Sequence, residues 1–273
     1  MFEYLKAVLF GIIEGITEWL PISSTGHLIL LNEVVKLDVS PEFYEMFQVV
    51  IQLGAILAVI VLFFHKLNPF APSKSREEKN GTWVLWLKVI VAVIPSAVLG
   101  FFLDDWFYDN FYNYVTVSVA LIVYGVAFLF VDRKDGKHNI VRTVNDIDWK
   151  TAIMIGCFQP LAMIPGTSRS GSTILGGMIA GASRVAAAEF SFFMAIPTMV
   201  GASLLKAVKF VIEGAAMTAS YWTILIIGCA VSFVVSIIAI RGLMSYVKNH
   251  NFSVFGIYRI VLGAAVLVFF LAR

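Results

Sequence analysis

The chain reads as an all-α polytopic membrane protein with six full spans plus two re-entrant helix-loop-helix hairpins arranged as inverted repeats. Three observations carry that expectation. Of the 273 residues, 59% are hydrophobic and 14% charged, with a mean hydropathy of +0.86. Apolar stretches of about 20 residues, the length a hydrocarbon core demands, recur along the whole chain. Two further apolar regions are interrupted near their middles by Pro, Gly, Ser and Thr, which leaves halves too short to span.

In order, the chain offers a broken region over 2–31, spans at 44–64, 83–103 and 114–131, a second broken region over 150–182, and spans at 186–206, 219–240 and 253–271. Met1-Phe-Glu-Tyr has no basic run and no small-residue cleavage site follows, so the first helix is expected to be retained. The breaks fall at Pro21 to Gly26 and Pro160 to Gly171. Backbone at a break cannot face lipid and must be buried in protein or line a cavity. Each broken region is therefore expected to enter and leave by one face. A hairpin and three spans, repeated, make the halves 1–131 and 150–273 of a single integral membrane domain inverted with respect to one another.

Short echoes support the repeat: Gly11-x-x-Glu14 with Gly156-x-x-Gln159, Pro21-Ile-Ser-Ser-Thr-Gly26 with Pro165-Gly-Thr-Ser-Arg-Ser-Gly171, and Glu45 with Glu189 at the start of the following span. Inverted repeats with broken helices place a site near the midplane.

The net charge of +2 is uninformative, but its distribution is not. Loops opposite the N-terminus hold twelve basic residues: Lys66, Lys74, Arg76, Lys79, Arg133, Lys134, Lys137, Arg142, Lys150, Arg184, Arg241 and Lys248. The N-terminal side holds five, Lys6, Lys36, Lys206, Lys209 and Arg273, and its 104–113 loop carries Asp104, Asp105, Trp106 and Asp109. Basic loops stay inside, so both termini are expected outside. The composition suggests no nucleic-acid partner, and a homo-oligomer is compatible with it. Cys157 and Cys229 are isolated in apolar surroundings and read as small core residues.

The chemistry concentrates in the breaks. Glu14 and Glu18 stand four residues apart, on one helix face. Each buried charge costs roughly 2.5 to 3.5 kcal/mol on insertion scales, so a cation, a watery cavity or both must offset it. The second break sets Arg169 among Gly166, Thr167, Ser168, Ser170 and Gly171 just before a helix begins. Helix-start amides and a guanidinium suit a phosphate. The turn Ser23, Ser24, Thr25, Gly26 would face it across the midplane. Carboxylates tolerate phosphate when a divalent cation lies between, and Mg²⁺ is held by one or two carboxylates, phosphate oxygens and water. The ligand inferred is a metal-bound phosphate or diphosphate presented from within the membrane, with Glu14 and Glu18 on the metal and Arg169 on the phosphate. His27 suits acid or base work and Ser24, three residues earlier, a nucleophile; whether Ser24, His27 or a water attacks is left open by spacing.

Plainer readings stand beside these. Hydroxyls such as Ser23, Thr25, Ser170 and Ser172 also satisfy carbonyls near a break, and Gly11-x-x-x-Gly15 and Gly177-x-x-x-Gly181 suit helix packing. Glu14 and Glu18 can pair with an internal arginine. Gln48 and Gln52 read as interhelical glue, Glu45 stays open, Glu189 is a candidate partner of Arg184, and Arg259 lies inside the last span as a candidate support for the site.

The segments Glu14-Gly-x-Thr-Glu18-x-x-Pro-x-Ser-Ser-Thr-Gly-His27 and Pro165-Gly-x-Ser-Arg169-Ser-Gly resemble the motifs of the undecaprenyl-diphosphate phosphatase family associated with bacitracin resistance. The resemblance extends over essentially the full chain, including Gln159, Glu189-Phe-Ser-Phe-Phe and Tyr258-Arg259. It implies hydrolysis of the polyprenyl diphosphate lipid to the monophosphate carrier used in peptidoglycan synthesis. It also implies a divalent cation, Mg²⁺ or Ca²⁺, a location in the bacterial plasma membrane with the active site open to the outer leaflet, and functional roles for Glu14, Glu18, Ser24, His27 and Arg169. The competing class is a polyprenyl-phosphate or phosphate transporter, a flippase using the same anion site. Transport alone needs neither nucleophile nor proton shuttle, so the constellation favours an enzyme.

Overall fold

The computed structural model describes residues 2–133, 141–214 and 216–272. Lys134, Lys137 and Arg273, counted in the charge asymmetry, lie outside the described residues, as do the side chains of Asp104, Asp105 and Arg133. The described residues form helices and no sheet; α1 (Phe2–Thr17) and α2 (Ser24–Val34) flank the first break. They are followed by α3 (Pro41–Val50), α4 (Gln52–Leu62), the short α5 (Phe64–Leu67), α6 (Arg76–Phe111) and α7 (Tyr114–Arg133). The second break lies between α8 (Trp149–Phe158) and α9 (Arg169–Ile179), with a 3-10 turn at Gln159–Met163. Three long helices close the chain: α10 (Arg184–Ile212), α11 (Ala219–Asn249) and α12 (Ser253–Leu271).

Six helical segments are long and apolar enough to cross a membrane: Pro41–Leu62, Arg76–Leu103, Tyr114–Asp132, Arg184–Ile212, Ala219–Asn249 and Ser253–Leu271. They coincide with the six expected spans. Much of their apolar surface points outward, as at Leu57, Val61, Ile226 and Val261, which is stable only against lipid. The chain is a multi-pass membrane protein. The first span runs through α3 and α4 with only a local tightening at Ile51, which keeps helical backbone and donates to Phe47 O (3.0 Å) while accepting from Gly54 N (3.1 Å).

The two ends of each broken region meet. Lys6 at the start of α1 donates to Lys36 O beyond α2 (2.7 Å), and Asp38 N donates to Glu3 (2.8 Å). Likewise Val141, ahead of α8, exchanges backbone hydrogen bonds with Gly181 and Ser183, beyond α9. α1 packs parallel to α11 at very short range. A β-carbon at Gly11 would stand 2.7 Å from Gly228 O, and one at Gly15 2.8 Å from Ser232 O, so this small-residue pair is a packing device, as expected. α7 and α12 run antiparallel through Gly125 and Gly256.

Two ion pairs lock α3 and α5 against α10, one at each end of the first span. Near the chain-terminal level Lys206 binds Glu45 (2.7 Å), and at the opposite level Lys66 binds Glu189 (2.7 Å). Glu189 is thus held by Lys66 and not by Arg184, which pairs with the buried Asp132 (2.7 Å). The reason is reach: Lys66 sits just past the end of α4, against the first turns of α10. The two cysteines are free, but Cys157 is exposed on the outer face of α8, and only Cys229 is partly covered. In a membrane a small apolar thiol is as stable against lipid as in the core.

Candidate active site

The two breaks adopt matching backbone. Ser23 (φ 74°) and Ser168 (φ 72°) are the non-glycine residues at positive φ among those described. Each caps the next helix, with Gly26 N donating to Ser23 Oγ (3.3 Å) and Gly171 N to Ser168 Oγ (3.1 Å). A serine held there costs on the order of 1 to 3 kcal/mol, strain that persists only where the surroundings enforce it. Gly166, at φ 95°, takes a conformation only glycine adopts cheaply, and a β-carbon there would meet Val117 O at 2.5 Å. The equivalence sets Ser24 against Arg169 at the first residue of α2 and of α9.

These two residues meet at Glu18. Ser24 Oγ donates to Glu18 Oε2 (2.5 Å), and Arg169 donates to Glu18 Oε1 (2.9 Å). Ser170 Oγ ties the same place together by donating to Glu18 O (2.9 Å). Arg169 also donates to Ser191 O (2.7 Å) and lies over the buried Trp19 ring at 5.7 Å. Residues 151 apart in sequence are thereby in contact.

A cavity of about 220 Å³ opens beside this cluster. Glu18, Ser23, Ser24, Thr25, Gly166, Ser168 and Arg169 line it. The rest of its lining is uncharged: Gln52, Ser96, Gln159 and Thr198 stand among apolar residues such as Met163 and Met199. The Gln159 amide donates to Ser96 and Thr198, and each of those hydroxyls follows a proline inside a long helix, Pro95 or Pro197. The hydroxyls in turn donate to their own helices, Ser96 to Val93 O (2.9 Å) and Thr198 to Met194 O (2.8 Å). Ser96 and Thr198 were legible in that pattern but were not singled out from it, and Gln52, read as glue, faces the cavity.

Other expected site residues stand outside the lining. Glu14 is fully buried in α1, and neither carboxylate oxygen has a hydrogen-bond partner. Glu18 lies one residue past the end of α1, although its N–H still bonds Glu14 O (3.0 Å) and keeps the two adjacent. Thr167 spends its hydroxyl on Leu161 O and Ile164 O, while Ser170 serves Glu18 O, so both brace turns where ligand contact was expected. Gly26 and Gly171 act through their amides as caps. His27 does not pair with Ser24: its Nδ1 lies 2.7 Å from Ser23 O and its Nε2 2.7 Å from the Tyr258 hydroxyl, on whose ring it stacks. On a helix, residues three apart share a face, but α2 aims Ser24 back at α1 and His27 toward α12.

Arg259, fully buried, joins the two turns. It donates to Pro21 O (2.9 Å), Gly166 O (2.8 Å) and Thr167 O (2.9 Å), and lies over the Tyr124 ring at 5.4 Å.

Among the described residues no group of three or more His, Cys, Asp or Glu is placed to hold a metal ion. Glu14's two orphaned oxygens fit a cation, since a buried unpaired carboxylate is costly without one.

Fold and site together define a polytopic membrane protein with an internal polar cavity between two helix breaks. A family model described as bacitracin resistance protein BacA matches residues 7–265, and the chain belongs to that family. It is 56% identical over 268 residues to an undecaprenyl-diphosphatase of Enterococcus faecalis, covering 97% of each chain. An undecaprenyl-diphosphatase of Limosilactobacillus fermentum is 55% identical over 273 residues, covering 99% of this chain and 98% of its own. One from Streptococcus pyogenes is 53% identical over 268 residues, covering 98% and 96%.

Proposed function

We propose that the chain hydrolyses undecaprenyl diphosphate to undecaprenyl phosphate and inorganic phosphate. The observation that carries the reading is the chain Ser24–Glu18–Arg169 at the wall of the cavity, a hydroxyl, a carboxylate base and a guanidinium in mutual contact. Family membership and the names of the relatives support the substrate. The Ser24 oxygen attacks the terminal phosphorus as Glu18 takes its proton. The bond to the bridging oxygen breaks, undecaprenyl phosphate leaves, and a water then releases inorganic phosphate from the serine. Arg169, with the Ser168 turn, holds the transferred phosphoryl oxygens, where a planar fork stabilises charge as it develops. His27, anchored to Ser23 O, positions the strained turn. Phosphate transport alone would leave the Ser24–Glu18 pair without a task.

A divalent cation, Mg²⁺ or Ca²⁺, would be held by Glu14 with Glu18 and would neutralise negative charge on the diphosphate.

The chain is read as one domain whose halves, 1–131 and 150–273, are inverted, with both hairpins re-entrant. The matching Ser23 and Ser168 caps, the hairpin ends that meet, and the reciprocal Glu45–Lys206 and Glu189–Lys66 pairs all support this. The basic-loop asymmetry puts both termini outside, and Gln52 and Ala202, toward that end of their helices, line the cavity. The site accordingly faces the outer leaflet of the bacterial plasma membrane.

The test is orthophosphate release from undecaprenyl diphosphate by the purified protein in detergent, with and without chelator. We expect chelator-sensitive turnover that Ser24→Ala abolishes. Absence of release, where no compartment exists to be crossed, would overturn the enzyme reading in favour of a carrier.

A further inference from the structure

At the end of the bundle away from the chain termini lies a second cavity, larger than the first at about 310 Å³. It is lined by His65, Lys66, Lys74 and Lys88, with Glu78 as the acid among its lining residues. Lys66 is neutralised by Glu189. The other two ammonium groups are held differently. Lys74 is buried, 8% exposed, yet its Nζ bonds only the neutral oxygens Thr82 Oγ1 (2.7 Å) and Lys66 O (3.2 Å). Lys88 bonds Ile147 O (2.6 Å) and lies 5.9 Å from the centre of the Trp149 ring.

Among the described residues, the nearby acids act on these lysines through space and make no ion pair with them: Glu78 with Lys74, Asp148 with Lys88. Glu78 accepts from Ser75 N (2.7 Å) and Asp148 from Thr151 N (2.7 Å), each at the beginning of a helix, where negative charge is already matched by the helix end. Burial also lowers the pKa of Lys74, with Glu78 acting in the opposite direction, so charge on that lysine is held at a cost that a bound anion would relieve. Thr82 cannot answer, since it passes its own proton to Glu78 O (2.9 Å).

The level of the cavity is marked by aromatic side chains. Phe70, Trp83 and Trp149 are all exposed around it, and Trp86 donates to Leu67 O (2.8 Å). Trp residues gather where hydrocarbon meets headgroups, the depth at which lipid phosphates lie and to which free phosphate has access from water.

We propose that this cavity is a second anion site, separate from the hydrolytic pocket, which takes an unesterified phosphate end between Lys74 and Lys88, carried on a lipid as a phosphomonoester or free as orthophosphate. The inference does not rest on the phosphatase reading. An ammonium makes a good point-charge contact to phosphate without demanding bidentate geometry, which suits a site that binds and performs no chemistry.

The test is lysine footprinting on the purified full-length protein in zwitterionic nanodiscs, reading acetylation residue by residue. Three probes are compared at equal ionic strength: orthophosphate, a short-chain phosphatidic acid, and chloride. Lys74 and Lys88 should be protected by a phosphate probe and not by chloride, with exposed Lys150 unchanged. Protection by phosphatidic acid alone identifies a lipid headgroup as the source; protection by both identifies phosphate as such. Lys88→Met should weaken that protection of Lys74 by about tenfold, the loss expected for one charge-assisted hydrogen bond, while leaving phosphatase turnover unchanged. Lys74→Arg, which keeps the charge, should retain binding, read as continued protection of Lys88. Equal protection by chloride and phosphate, or none at all, would overturn the site.

Discussion

The two carboxylates of the first break carry different burdens, and substitution should separate them. Glu18 is engaged on both oxygens, so Glu18→Gln deprives Ser24 of its base and leaves Arg169, 10% exposed at the side chain, without its counter-charge. Breaking a buried pair from one side costs about 3 to 5 kcal/mol, so we expect loss of turnover together with a clear fall in Tm in detergent. Glu14 has no hydrogen-bond partner to abandon; Glu14→Gln removes a buried unpaired charge and should lower turnover with Tm unchanged or raised. Equal Tm losses for the two variants would show that Glu14 is structurally paired. Arg169→Lys tests the guanidinium. A point charge cannot span Glu18 and Ser191 while gripping phosphate, and kcat should fall by roughly ten- to a thousandfold, the range for losing transition-state electrostatic contacts. An unchanged kcat would reduce Arg169 to a source of positive potential. The residue types of this site were legible because polar groups in an apolar run are conspicuous. Their pairings were not: spacing offered His27 to Ser24, and only the directions of α1, α2 and α12 reveal that Glu18 answers Ser24 and Tyr258 answers His27.

At the scale of elements, the site depends on holding two strained turns at a fixed separation, and α12 does this through Arg259. Its guanidinium satisfies three carbonyls, one in the first break and two in the second. Arg259→Met leaves them buried and unpaired, each at about 1 to 3 kcal/mol, and frees Ser23 and Ser168 to relax from positive φ. We expect both Tm and kcat to fall although Arg259 is absent from the cavity wall; Arg259→Lys, reaching fewer carbonyls, should be intermediate. Activity retained in Arg259→Met would show that the turns hold themselves. The six spans were readable from apolar length because lipid imposes that length. The division of labour among hydroxyls, where Thr167 and Ser170 brace carbonyls and Ser23 caps a helix, was not, because all three read alike as members of a polar break.

For the whole molecule, the reading that unites the repeat, the reciprocal ion pairs and the basic loops is a bundle with its hydrolytic pocket open outward and the Lys74 cavity inward. It makes one demand that neither turnover nor stability can meet: the two cavities must be reached from opposite sides of the membrane. After both native cysteines, one of which is exposed, are replaced by serine, single cysteines can be introduced in the two linings as Thr25→Cys and Asn145→Cys. Thr25 follows the residue that begins α2, just beyond the first break. A membrane-impermeant maleimide added to intact cells should label Thr25→Cys and spare Asn145→Cys; added to inverted vesicles it should do the reverse. Labelling of Thr25→Cys only from the inside would invert the assigned topology while keeping the re-entrant tip. Labelling from neither side, with Asn145→Cys still reactive from one, would deny the tip a watery path, and a re-entrant hairpin without such a path has no means of meeting a diphosphate or of satisfying its broken backbone other than burial.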